Sequence, residues 1–346
     1  MEGENAGHKL RYCLILSFLL FFSWSLSTQA ADSKTLNPND QIFNVKPPKI
    51  DTHRLQKLLD AIKKTKNPVK NANVKQFKQY LKNSSPYDSV GSQGDIIRYK
   101  SSAPIKKVGF NSTTKYVQPL ITDNRILINP TTVYPYNAVA QIDFTDGQYG
   151  YSCTGSFIDR NTVLTAVHCV YDSYYHKYYQ MWAVYPAENG YDLPYGGEST
   201  TTAYTPAGFI NSTAPKPGYL SGEQIPYDFA VINLATSTSF PNQLPLAFTS
   251  SVNDSIDSVG YPGDKSFKSP SGYYYYYMYK SSGKIVNKFS GIIEHNAYVT
   301  SGMSGGPVMN PNNRQIKSVN STATYGADLT TPTDSSAIFS WASSNE

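Results

Sequence analysis

At Thr300-Ser301-Gly302-Met303-Ser304-Gly305-Gly306-Pro307-Val308 a serine stands among glycines. Such a turn presents the hydroxyl, and glycine allows backbone angles and close approaches that a Cβ would block. A serine placed this way can attack a carbonyl, with the N–H groups of Gly302 and Ser304 aimed at the oxyanion that forms. The hydroxyl is a weak nucleophile unless a base, itself oriented by a carboxylate, takes its proton. A plain loop between strands is the alternative, so the base and its carboxylate have to be sought elsewhere in the chain.

Of the five histidines, His168 has the most specific setting, Thr165-Ala166-Val167-His168-Cys169, directly after the apolar run Thr162–Leu164. A disulfide from Cys169 would hold that base rigidly. The orienting acid should open an apolar strand, because a buried charge is costly unless paired. Tyr227-Asp228-Phe229-Ala230-Val231-Ile232-Asn233-Leu234 offers Asp228 in that position. Asp172 and Asp192 are rivals, but both sit in Tyr-rich stretches that suit solvated loops.

The elements that must carry these residues are β-strands. With 16% charged residues, 29 Tyr, 23 Gly and 22 Pro, the composition favours a β-rich, loop-rich chain over a helical bundle. Beyond Ile121 short β-prone runs alternate with turn residues, among them 138–142, 156–158, 162–165 and 230–234, as in an all-β barrel or sandwich. Residues 335–343 read as a closing helix.

The first third of the chain is different. Lys9 and Arg11 precede the apolar run 13–22, and Ser27-Thr28-Gln29-Ala30-Ala31 follows. This is the order of a secretory signal peptide, expected over 1–30 and cut near Ala30. The apolar run is shorter than the roughly 20 residues of a membrane span, so stable membrane insertion is not expected once the signal is cut. Export leaves Cys153 and Cys169 as an even pair in an oxidising setting, and a disulfide between them is expected. No metal site is expected: only His168 lies near the cysteines, and further ligands are missing.

From Asp32 to about Ser85 the chain is Lys- and Asn-rich, and after Ser85 it becomes Ser/Gly/Lys-rich. Leu55, Leu58, Leu59 and Ile62, then Val74, Phe77, Tyr80 and Leu81, recur at helical spacing. Two amphipathic helices with outward lysines are expected, followed by loosely organised sequence from Ser85 to about Pro119. Residues 1–120 hold 19 Lys/Arg and 8 Asp/Glu, a net +11; the rest hold 11 and 17, a net −6. A nucleic-acid partner is not expected, since no base-reading motif accompanies the charge. Residues 31–120 read as a propeptide masking an acidic partner, or as a retained arm holding the protein at an anionic wall.

His168, Asp228 and Ser304, in that order and those settings, make the chain resemble the trypsin-like serine proteases. More narrowly it is similar to their bacterial glutamyl-endopeptidase, V8-like branch. That likeness covers 121–346 and rests on Asp123-Asn124-Arg125 through Tyr136, Ser152-Cys153-Thr154-Gly155, Thr165–Cys169, Tyr227-Asp228-Phe229-Ala230, Gly260-Tyr261-Pro262-Gly263-Asp264-Lys265 and Ser282-Gly283-Lys284-Ile285. The resemblance implies an all-β protein of two antiparallel six-stranded barrels, about 121–240 and 241–346, with the site between them. It implies a Ser304–His168–Asp228 triad, an oxyanion hole at Gly302 and Ser304, and no cofactor. Protein or peptide substrates, a monomer, an extracellular location and inhibition by the chain's own propeptide follow as expectations.

Two departures bear on substrate choice and activation. The glutamate-specific relatives carry a threonine five residues before the nucleophile and a histidine on a later strand. Here Val299 holds the first place with Thr300 next to it, and Asn320 holds the second. Preference for Glu or Asp before the cut is therefore an expectation resting on Val299, Thr300 and Asn320; His295 reads as an ordinary surface histidine, the alternative being a substitute for the missing histidine from the cleft rim. Met303 precedes the nucleophile, so a freed N-terminus cannot pair there with an aspartate as in trypsin; an end near Ile121 is expected to reach the specificity pocket instead. Tyr273–Tyr277 reads as an aromatic substrate rim or an amphipathic strand and turn. The competing reading for the whole chain is a catalytically inactive homologue that acts as a secreted binding protein at an anionic cell surface.

Overall fold

Period-two apolar runs bounded by Gly, Pro and Asn favour pleated pairing over helix, and strands carry most of the structure. A computed structural model describes residues 41–70, 84–99, 121–234 and 242–343. All of these belong to one unit, Thr35–Glu346. The expected signal peptide and the second amphipathic helix, 74–81, lie outside the described residues.

Along the chain run β1 (Ile42–Asn44), α1 (Thr52–Lys64), β2 (Ser89–Gly91), β3 (Ile96–Ile97), β4 (Ile126–Leu127), β5 (Val139–Thr145), β6 (Gly150–Phe157) and β7 (Thr162–Thr165). Next come β8 (Tyr171–Asp172), β9 (Lys177–Tyr178), β10 (Met181–Pro186), β11 (Glu198–Thr200), β12 (Thr202–Pro206), the single turn α2 (Ala207–Ile210), β13 (Tyr219–Ser221) and β14 (Ala230–Asn233). The remainder holds β15 (Ser255–Gly260), β16 (Phe267–Lys268), β17 (Tyr274–Tyr275), β18 (Tyr279–Phe289), β19 (Ile292–His295), β20 (Pro307–Met309), β21 (Ile316–Asn320), β22 (Tyr325–Asp328) and α3 (Pro332–Ser343).

Two sheets organise the molecule. The later one runs β15-β20-β21-β22-β19-β18-β4, and β18 pairs back onto β15, closing six antiparallel strands into a barrel. The earlier one runs β11-β10-β5-β6-β7-β14-β12-β2-β3. The expected first barrel is thus a nine-stranded sheet whose last two strands come from before residue 120. The stretch after Ser85, expected to be loose, supplies them: Tyr204, Thr205 and Pro206 pair with Gly91, Val90 and Ser89. The Tyr178 hydroxyl also donates to the Val90 carbonyl at 2.7 Å.

The core spans both sheets. Phe144, Phe157, Leu164, Trp182 and Phe229 are buried with Ile316 and Val319, and Trp341 of α3 stacks on Phe229 at 5.6 Å between centroids. The expected first helix is α1. Asp51 caps it by accepting the Arg54 N–H at 2.8 Å, Leu58 is buried, and Lys57, Lys63 and Lys64 are exposed. It lies against β5, β6 and β10.

Candidate active site

His168 is held by short-range constraints before it meets any partner. It sits in a single 3-10 turn, Val167–Cys169, immediately after β7. The expected disulfide ties Cys169 to Cys153 on β6, and the Trp182 indole N–H donates to the Cys169 carbonyl at 3.1 Å. Asp228 ends another 3-10 turn, Gly222–Tyr227, just before β14, which pairs with β7. This pairing sets the two residues side by side. Asp228 Oδ1 accepts the His168 backbone N–H at 3.0 Å, and Oδ2 lies 2.8 Å from His168 Nδ1. The carboxylate thus fixes the proton on Nδ1 and leaves Nε2 as the basic atom. Asp228 is fully buried, and Nε2 has no hydrogen-bond partner among the described residues.

Ser304 lies on the turn before β20 and is 8% exposed. The turn needs its glycines. Gly302 and Gly305 have φ of +97° and +77°, angles that L side chains rarely adopt. A Cβ on Gly305 would fall 2.1 Å from Thr165 Oγ1 and 2.4 Å from the Thr154 carbonyl. That close approach seats the serine turn against the end of β7 that leads to His168. Three bonds clamp it there: Thr154 N–H to the Ser304 carbonyl at 2.9 Å, Thr154 Oγ1 to the Gly302 carbonyl at 2.8 Å, and Gly305 N–H to the Asn320 carbonyl at 2.8 Å. The N–H groups of Gly302 and Ser304 have no backbone acceptor among the described residues.

The residues expected to recognise substrate play mixed parts. Val299 is 8% exposed. The Thr300 hydroxyl donates to Asp264 and accepts from Arg125, each at 2.8 Å; Arg125 also pairs with Asp123 and Asp264 and lies over the Tyr298 ring. Asn320 is fully buried, its amide donating to Ser258 Oγ at 2.8 Å and to the Met303 carbonyl at 3.3 Å. It holds the nucleophile turn from below. His295, expected at the surface, is instead 1% exposed on β19 beside Asn320, because β19 is a strand of the closed barrel and all four of its residues are buried. Burial lowers its imidazole to about 4, so it brings no positive charge at neutral pH. Ile121, Thr122 and Asn124 lie along Ser282, Gly283, Lys284 and Asn296.

Two features escaped the sequence reading. Ser321 donates its hydroxyl to Asp228 Oδ2, giving that carboxylate a third hydrogen bond. The second is a stretch of the basic segment that crosses the site. β1 pairs antiparallel with β13, Val45 N–H donates to the Gly218 carbonyl, and Val45 and Pro47 line one cleft with His168 and Tyr171. The Lys46 carbonyl then accepts from Ser301 Oγ at 2.7 Å, and the Pro48 carbonyl from Ser152 N–H at 2.9 Å. A Cβ on Gly302 would lie 3.3 Å from Pro48 Cγ. Residues 42–48 therefore run from the His168 side, past the serine turn, to the disulfide-bearing strand.

The Cys153–His168–Cys169 trio is a cluster of metal-ligating residue types among the described residues, but its sulfurs are bonded to each other and offer no thiolate. No described helix is long and apolar enough to cross a membrane.

Residues 128–341 match the trypsin family model. Over 190 residues the chain is 28% identical to the glutamyl endopeptidase of Bacillus licheniformis, covering 54% of this chain and 53% of that protein. Over 191 residues it is 30% identical to a Bacillus subtilis protein named extracellular metalloprotease, covering 53% and 56%. The chain thus spans about half the length of the curated relatives it matches. A solved structure of a Glu endopeptidase in complex with MPD superposes with a TM-score of 0.54 at 27% identity, covering 64% of this chain and 98% of that one.

Proposed function

The chain belongs to the trypsin family, and from that premise we propose that it is a secreted serine endopeptidase made with an inhibitory propeptide. The observation that carries this reading is the buried Asp228 carboxylate set on His168 Nδ1 at 2.8 Å, with the Ser304 turn clamped onto the strands flanking that histidine. Ser304 attacks the peptide carbonyl while His168 Nε2 takes its proton and then delivers it to the leaving amine. Asp228 holds the tautomer and balances the imidazolium. The Gly302 and Ser304 N–H groups receive the oxyanion of each tetrahedral intermediate. Water completes the cycle by hydrolysing the acyl-enzyme. None of these steps calls on a metal or organic cofactor.

Residues 31–120 act as the propeptide. The path of 42–48 along the cleft supports this, since it lies where an extended substrate must pass, and Pro47 and Pro48 present no N–H for strand pairing there. The +11 and −6 halves attract each other in the same sense. Maturation near Ile121 leaves an extracellular monomer of residues 121–346 that acts on proteins and peptides.

The finer reading is a preference for Glu or Asp before the cut. The likeness to proteins named as glutamyl endopeptidases supports it. Fluorophosphonate labelling of Ser304, before and after cleavage near Ile121, tests the enzyme. A cleavage profile on mixed peptides, with Ser304→Ala alongside, tests the preference. A folded, processed chain that takes no label and makes no cuts would overturn the reading.

A further inference from the structure

The segment that crosses the cleft is fastened beyond it by one side chain. The Arg54 side chain of α1 is 12% exposed and meets two acids and two aromatic rings that all come from after residue 121, with Asp51 of its own segment nearby. Its Nε donates to Asp143 Oδ2 at 2.6 Å, and Nη1 and Nη2 donate to the two oxygens of Glu188 at 2.7 and 2.9 Å. Both carboxylates are fully buried. The Tyr185 and Tyr276 rings lie 4.8 and 5.0 Å from the guanidinium carbon. A planar fork between aromatic rings, with three N–H groups matched to three carboxylate oxygens, selects guanidinium over ammonium.

Residues after 121 also brace the pocket. Gln141 donates to the second Asp143 oxygen at 3.2 Å, and Tyr261 OH donates to the Glu188 carbonyl at 3.1 Å. Ala187, just before Glu188, has φ of +54°, a strained angle for a residue with a Cβ. Thr131 Oγ1, donating to the Ala187 carbonyl, and the Ala187 N–H, donating to the Val139 carbonyl, hold it so. Burial drives both carboxyls upward and Arg54 opposes that drive. Two buried acids converge here on one cation, and that cation comes from the other half of the chain.

We propose that Asp143, Glu188, Tyr185 and Tyr276 form a guanidinium-binding site on the protease domain, occupied by Arg54, which fastens residues 41–64 across the cleft. The proposal rests on the propeptide reading above for what happens next. Once the occupant leaves, the emptied site is open to another guanidinium.

The test uses the full chain carrying Ser304→Ala, so its outcome is independent of whether the protein hydrolyses peptides. Hydrogen exchange is followed in α1, with β5 and β6 as the internal reference. Arg54→Ala and Arg54→Lys are both expected to lower protection of α1 by roughly 100-fold and to leave β6 protected, since losing one partner of a buried charge pair has effects of that order. In the otherwise unaltered Ser304→Ala chain, L-argininamide is expected to loosen α1, and L-lysinamide at equal ionic strength to leave it unchanged. Combining Arg54→Met with Asp143→Asn and Glu188→Gln is expected to keep β5 and β6 protected and to abolish the response to argininamide. Wild-type protection in Arg54→Lys, equal effects of the two amides, or a loss shared evenly by β5 and β6 would each overturn the proposal.

Discussion

Ser321 donates its hydroxyl to Asp228 Oδ2 at 2.5 Å, the same oxygen that faces His168 Nδ1. Ser321 follows the last residue of β21 in the later sheet, whereas Asp228 and His168 belong to the earlier one. The bond therefore fixes the two halves of the site against each other as well as orienting the carboxylate. A hydrogen bond to a charged group contributes about 1.5–3 kcal/mol, so Ser321→Ala should lower kcat by roughly 10- to 100-fold with KM little changed. Ser321→Thr should recover much of the loss. Steady-state kinetics on a peptide ester or amide separates the two.

Gly305→Ala should be far more damaging than its size suggests. The added methyl would meet Thr165 Oγ1 and the Thr154 carbonyl at 2.1 and 2.4 Å, at a φ of +77°. Strain of this kind costs about 1–3 kcal/mol before any clash is counted. Thermal unfolding should show a large fall in Tm, and fluorophosphonate labelling of Ser304 should be lost in whatever fraction folds.

Removing the disulfide should loosen the base. Cys153 and Cys169 are 16 residues apart, and a loop of that size contributes about 3 kcal/mol in the chain-entropy account. Cys153→Ala combined with Cys169→Ala is expected to lower stability by about that amount in denaturant titrations. Labelling of Ser304 should fall as well, because Cys169 directly follows His168 in its turn.

Asp334 makes stability depend on pH in an unusual sense. It sits in the first turn of α3, bonded to Thr331 and Tyr87, and burial raises its carboxyl to about 7. An unfolded aspartate ionises near pH 4. Between about pH 4 and pH 7 the unfolded chain has lost the proton that the folded chain keeps, so this group's contribution to stability falls as pH rises, then levels off. Asp334→Asn should raise Tm by several degrees at pH 8, and the gain should vanish near pH 4. Scanning calorimetry across that range checks the sign.

How much of this was legible before folding depends on how local each signal is. His168, Asp228 and Ser304 announce themselves within a few residues: a cysteine beside a histidine, one acid opening an apolar strand, a serine on a glycine turn. Ser321 carries no such mark, because its part depends on where β21 ends relative to a residue 93 positions earlier. Nothing in the sequence flanking His295 marks it as buried; the closed barrel buries it. Arg54 was hidden by company: amid lysines that face water, nothing nearby shows that Asp143 and Glu188 lie 89 and 134 residues on. The same holds for β2 and β3, three and two residues long in a polar stretch, where β2 pairs with the distant β12 and β3 only with β2.

That last pairing has a consequence for maturation. Ser89–Gly91 covers one side of β12 with main-chain bonds, and Ser92 adds one more by donating to the Ala203 carbonyl at 2.8 Å. A chain beginning near Ile121 gives up that cover, and Ala203–Pro206 becomes a bare sheet edge with open donors and acceptors. In the proposed maturation, freeing the cleft and baring the edge would thus be one event. The newly freed protein must offer that edge to water, to the detached segment itself, or to a strand of another chain.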